Sequence, residues 1–133
     1  MNTHSITETI RTCLLQIHPE LEIHTPISNG ELVAPYVLLS CVADEELIPG
    51  NRTWECSLVL SLHSAAHDEA ETTMREQFSS LCTTLGKKTT RESVNEAAPD
   101  FILYSLSLRN SEEPQAQENT FIQTAILRIV VQF

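Results

Sequence analysis

Histidines, carboxylates and thiols carry most protein chemistry, and this sequence holds each in a suggestive spacing. His63 and His67 stand four apart, which on one helix would turn two imidazoles toward a metal ion. Asp44-Glu45-Glu46 is a run of carboxylates, the oxygen chemistry that hard divalent cations prefer. His63, His67 and Asp44 together would make a small metal-dependent enzyme. Cys13, Cys41, Cys56 and Cys82 are candidate nucleophiles wherever a histidine base and an oxyanion site lie in reach.

Each pattern falls short in its context. His63 should end a strand and His67 should begin a helix, so the shared helical face is lost. There is no His-Glu-x-x-His, and His4, His18 and His24 stand alone. The acidic run lacks the spaced Asp-x-Asp-x-Asp of a calcium loop and reads as a solvated turn. No Gly-x-Ser-x-Gly occurs, and three glycines (30, 50 and 86) leave no phosphate-cradling loop. The cysteines form no Cys-x-x-Cys pair and sit in apolar surroundings, which suits reduced, buried thiols. No catalytic residue, metal ligand or cofactor is assigned, and the expectation is a protein that is not an enzyme.

The bulk properties narrow the partners. The chain has 133 residues, with 8 Lys and Arg against 18 Asp and Glu, a formal charge of −10. That balance opposes general nucleic-acid binding and adhesion to anionic lipid, both of which need cations. The charge is spread along the chain, with no acidic tail or basic arm. Apolar residues make up 41% and charged residues 20%, a folded composition of single-domain length. The start Met1-Asn2-Thr3-His4-Ser5 does not resemble a secretory signal, and no run of about 18 apolar residues exists to span a membrane. Asn51-Arg52-Thr53 matches a glycosylation sequon but reads as a turn.

Periodicity then places the elements. Ile6, Ile10, Cys13, Leu14 and Ile17 form one helical stripe over Ile6–His18, with Ser5 and Glu8 at capping-box spacing and Pro19 as the stop. A long connection follows, with room for a short strand at Leu21–His24. Tyr36–Val42 is an almost unbroken apolar run, which suggests an interior strand covered on both faces. Pro49-Gly50 marks a turn. Thr53–His63 alternates Trp54, Cys56, Leu58, Leu60 and Leu62 against a largely polar set, the period of a strand, and should pair with the strand before it. Ala66–Leu85 is a second amphipathic helix, with Gly86 placed for a left-handed stop. A helical turn is possible at Arg91–Glu96. Phe101–Arg109 places Ile102, Tyr104, Leu106 and Leu108 on one strand face. Residues 110–119 read as a solvated loop, and Thr120–Phe133 as the last strand.

The expected fold is one α+β domain over residues 1–133. It has a four- to five-stranded, mainly antiparallel sheet with two helices packed on one face. The other face keeps Val59, Ile122, Ile126 and Val130 among its polar groups, which hints at contact with another subunit. Trp54 suits a core anchor and also an interface at a sheet edge. Arg109 and Arg128 lie on the more polar face of the last strand pair. Beside a loop carrying Glu112, Glu113 and Glu118, they are either solvated or make charged contacts between subunits.

The layout also carries a resemblance. A short helix leads to a polar connection and a strand. The strand Arg52-Thr53-Trp54-Glu55-Cys56-Ser57-Leu58-Val59-Leu60-Ser61-Leu62-His63 follows, then a helix of the type Ala66…Ala70…Met74…Phe78…Leu81. A strand pair split by a polar loop closes on Ile126-Leu127-Arg128-Ile129-Val130-Val131-Gln132-Phe133. Over nearly the whole chain this resembles the tail-terminator and tail-completion proteins of long-tailed bacteriophages and prophages. The resemblance is one of layout, without an invariant motif or catalytic residues to transfer. It implies a homo-oligomeric ring, typically a hexamer, that caps the tail tube, ends its polymerisation and presents a surface for the head. The implied partners are the chain itself, the tail tube protein and a head-tail connector protein. DNA would pass through without specific binding, and no membrane would be involved. The implied places are the cytoplasm of the bacterial host during assembly and the virion tail. The alternatives are another head-tail connector or neck protein, or a small acidic protein-binding adaptor.

Overall fold

The first helix, α1 (Thr3–Ile17), begins earlier than the Ser5 spacing suggests. A computed structural model describes residues 2–26, 32–65, 68–117 and 119–133. In it Asn2 is the N-cap, its side chain accepting the Ser5 N–H at 3.1 Å. The capping box is not used: the Ser5 hydroxyl donates to Asp100 at 2.7 Å, tying α1 to the chain ahead of a distant strand. The apolar stripe is buried at Ile6, Ile10, Cys13 and Leu14, while Ile17 at the helix end is exposed. Arg11 then donates from Nε to the Ile23 carbonyl at 2.7 Å and fixes the next element, β1 (Ile23–His24), against the helix.

The sheet has six strands: β1, β2 (Tyr36–Ile48), β3 (Thr53–Ala65), β4 (Ile102–Ser111), β5 (Gln115–Gln117) and β6 (Thr120–Gln132). The order is β1-β2-β3-β6-β4, with β5 also paired to β6. Only β1 and β2 run parallel, and every other pair is antiparallel. The expected β2–β3 hairpin is present, turning through Gly50 at φ 79°, a conformation open to a residue without Cβ. β2 is interior in strand order, between β1 and β3, but its expected coverage fails along most of its length. β1 pairs only with Val37 and Leu38, so among the described residues the rest of β2 has β3 on one side and no paired strand on the other. The middle of the sheet is β3 and β6, joined in unbroken register from Thr53↔Gln132 to Ala65↔Thr120.

Helix α2 (Asp68–Leu85) leads through Gly86 into α3 (Lys88–Ala97), a full helix where a single turn was expected. Gly86 does not adopt the left-handed conformation, because the chain re-enters a helix within two residues. Thr90 stabilises that corner by donating its hydroxyl to the Thr84 carbonyl at 2.6 Å.

β4 has its faces set by a bulge and not by simple alternation. The register steps from Leu103↔Val131 to Ser105↔Val130, so Tyr104 is an extra residue and the side chains change sides there. Leu103 and Leu106 face the core, whereas Ile102 and Tyr104, expected with Leu106, are exposed. The loop read over 110–119 is also partly strand. β4 continues to Ser111, and β5 pairs Gln115, Ala116 and Gln117 with Ile122, Phe121 and Thr120. Gln-Ala-Gln offers no apolar anchor, so this pairing rests on backbone hydrogen bonds that composition does not reveal.

The buried apolar residues form one cluster. Ile6, Ile10 and Leu14 of α1, Met74, Phe78, Leu81 and Leu85 of α2, and Val94 of α3 meet Leu58, Leu60, Leu62, Leu127, Ile129 and Val131 of the sheet. The contributions of β3 and β6 all come from one strand face, the set at period two.

Candidate functional site

The residues of opposite parity make the second sheet face. Strand pairing arranges them in rows: Tyr36–His63–Ile122, Ser40–Val59–Ile126, Val42–Ser57–Arg128, and Glu45–Glu55–Val130. Val59, Ile122, Ile126 and Val130 are half-buried, and Val42 is 57% exposed.

Glu55 organises the charged end of this face. It is only 7% exposed, the sole acid in its strand. Its Oε1 accepts Arg109 Nη2 and Arg128 Nε, each at 2.9 Å. Its Oε2 accepts Arg128 Nη2 at 3.3 Å. One carboxylate thus holds arginines from two further strands, β4 and β6, with their outer ends half-exposed. Arg109 and Arg128, considered above as inter-subunit contacts, are paired within the chain. Glu55 was missed in the sequence. Its signal was an acid on the polar face of a strand, in a chain whose last strand pair carries two arginines on its own more polar face.

The other candidates scatter. Trp54 packs against the core cluster from the face opposite Arg128, between Glu46 and Val131. Glu113 is exposed and pairs with Arg75 of α2 at 2.7 Å. Arg75 also meets Glu71, and the two carboxylates hold its guanidinium above its ordinary range. Glu112 is exposed, with its N–H on the Thr124 carbonyl. Glu118 lies outside the described residues.

The metal constellation does not assemble. His63 sits opposite Tyr36 while Asp44 lies beyond Ala43 and Cys56 on the same strand pair, about 25 Å along the strands. Asp44 accepts the Ser57 hydroxyl at 2.6 Å. His67 lies outside the described residues, and no group of three His, Cys, Asp or Glu able to hold a metal occurs among those described. The four thiols are free. Burial pushes Cys13 and Cys82 up, and a hydrogen bond with Cys56, then burial, pushes Cys41 up. These three are poor nucleophiles at neutral pH. A cleft of about 210 Å³ between the approach to β1 and α2 is lined by Glu20, Glu22, Tyr36 and Gln77 among others, without Ser, Cys or His.

His63 stacks on Tyr36 with ring centroids 4.4 Å apart, and its Nε2 is buried without a hydrogen-bond partner among the described residues. Burial lowers its proton affinity from the ordinary value of 6.5. As pH falls below about 6.5 the unfolded chain binds protons that the folded chain resists, so His63 subtracts stability on acidification. Replacing His63 with Phe keeps the stack and removes the titration. The melting temperature of His63→Phe should fall less than that of the parent between about pH 7.5 and pH 5. Parallel curves would show that His63 carries no such linkage.

No helix among the described residues is long and apolar enough to cross a membrane. No protein-family model matches the chain, and no curated protein matches its sequence.

Proposed function

We propose that this chain is a structural assembly protein of a long-tailed phage or prophage. In that reading it caps the tail tube as a homo-oligomeric ring, most simply a hexamer. The ring ends tube polymerisation and offers the surface on which a head-tail connector docks. The observation that carries the reading is an open sheet whose β2 edge is long and uncovered among the described residues, in a chain whose order of elements resembles tail terminators. The three helices layer against one sheet face and leave Val42, Val59, Ile126 and Val130 toward the other. A closed ring needs two different patches per subunit, because each copy meets its neighbours with unlike surfaces. A sheet with two distinct edges supplies them. A charge of −10 per subunit suits the wall of a conduit through which DNA passes without being held, since like charges repel.

Light scattering across a range of concentration and salt, with and without tail tube protein, tests this reading. The expected result is a single discrete oligomer in at least the tube-bound sample. A monomer under every condition would rule the ring out, and a one-to-one complex with some other protein would favour the adaptor reading.

A further inference from the structure

The two edges of the sheet differ in how they are closed. On β4, Asn95 of α3 donates to the Leu103 carbonyl at 2.9 Å and accepts the Leu103 N–H at 2.6 Å. Arg91 donates to the Tyr104 carbonyl at 3.1 Å. This part of the edge is therefore satisfied by α3. Because the groups of Leu103 point away from β6, so do those of residues in phase with it after the bulge, Leu106 and Leu108. On β2, the Val37 N–H donates to the Glu22 carbonyl at 2.8 Å, toward β1. The groups of Cys41 and Ala43 point the same way, past the end of β1.

These open groups match one another. β2 and β6 run together, opposite to β3 and β4, so repeating the sheet sideways sets β4 of one copy antiparallel to β2 of the next. The registers put Ala43, Cys56, Ile129 and Leu106 in one row, and Cys41, Leu58, Leu127 and Leu108 in another. The outward groups of Leu106 and Leu108 thus stand level with those of Ala43 and Cys41, with core faces on the same side. Charge agrees with this. Asp44 and Glu45 on β2 have no cation within 4 Å among the described residues. Arg109 on β4 is half-exposed and leans toward the row of Glu55, which is the row of Glu45.

We propose that β4 of one copy pairs antiparallel with the β2 edge of the next, Leu106 facing Ala43 and Leu108 facing Cys41. The sheet then continues from subunit to subunit. This rests on the ring reading and names its interface. The unpaired backbone of an edge strand is a ready template for such addition.

The test uses Val42 and Ser107, both exposed and expected to face each other across the joint. A chain carrying Val42→Cys and Ser107→Cys, assembled and treated with a short bis-maleimide, should give a denaturation-resistant ladder of linked copies. Each single variant and the parent should stay unlinked. A ladder absent while light scattering still reports the oligomer overturns the edge pairing and leaves the ring standing. Linked dimers from Val42→Cys alone overturn it in favour of two β2 edges meeting. A monomer under all conditions removes both the ring and its joint.

Discussion

Replacing Leu60 with alanine is expected to lower the unfolding free energy by about 3–4 kcal/mol, and the melting temperature by roughly 10–15 °C. Leu60 has no exposed surface and sits in β3, between Leu39 of β2 and Ala125 of β6 and within the cluster that all three helices join. Both flanking strands are held in ladders, so the site has little freedom to collapse around the lost methyl groups. The cost is therefore the transfer loss plus most of a cavity term. The control is the next residue. Val59→Ala removes a half-buried side chain from the other sheet face and should cost about 1 kcal/mol or less. Chemical denaturation of both variants measures the contrast. Equal losses would mean that the second face is packed as tightly as the first, and its proposed availability to a neighbour would fall.

Glu55→Gln should destabilise the fold by about 2 kcal/mol. Gln keeps the shape, but it replaces one anion that serves two guanidinium groups with an amide able to accept at a single oxygen. The loss stays below that of a fully buried pair because Arg109 and Arg128 are half-exposed and water takes up part of the released charge. A double-mutant cycle with Arg128→Gln isolates the pair. The two substitutions should fall short of additive by roughly 1 kcal/mol, and by less in high salt. Full additivity would show that Glu55 acts through packing alone. The triad joins β3, β6 and β4 across three strands, so Glu55→Gln should also loosen β4, the strand assigned to the subunit joint.

Much of this architecture was legible because period is a local property. The stripe from Ile6 to Leu14 and the alternation from Trp54 to Leu62 each state which face is buried, and the packing agrees. The hairpin at Gly50 was legible for the same reason, since turn chemistry lies within a few residues. The misreadings share a different cause. The faces of β4 depend on an extra residue at Tyr104 that only the partner strand defines. β5 forms because β6 offers free backbone, not because Gln-Ala-Gln favours a strand. The interior reading of β2 took hydrophobicity for coverage, whereas Val42 stands largely exposed.

The site divides along the same line. The sequence raised the expectation of no metal or nucleophile chemistry, through motifs missing at fixed spacing. It also set the charge of −10 and the apolar positions on the second sheet face. It could not assign Glu55 to Arg109 and Arg128, because those partners are 54 and 73 residues away in the chain. Nor could it tell a closed edge from an open one, since Asn95 seals Leu103 only where the corner after α2 brings α3 against β4. Which residues are apolar or charged, and at what period, is written locally in the chain. Which backbone groups and charges are left without a partner is decided only when distant segments fold together.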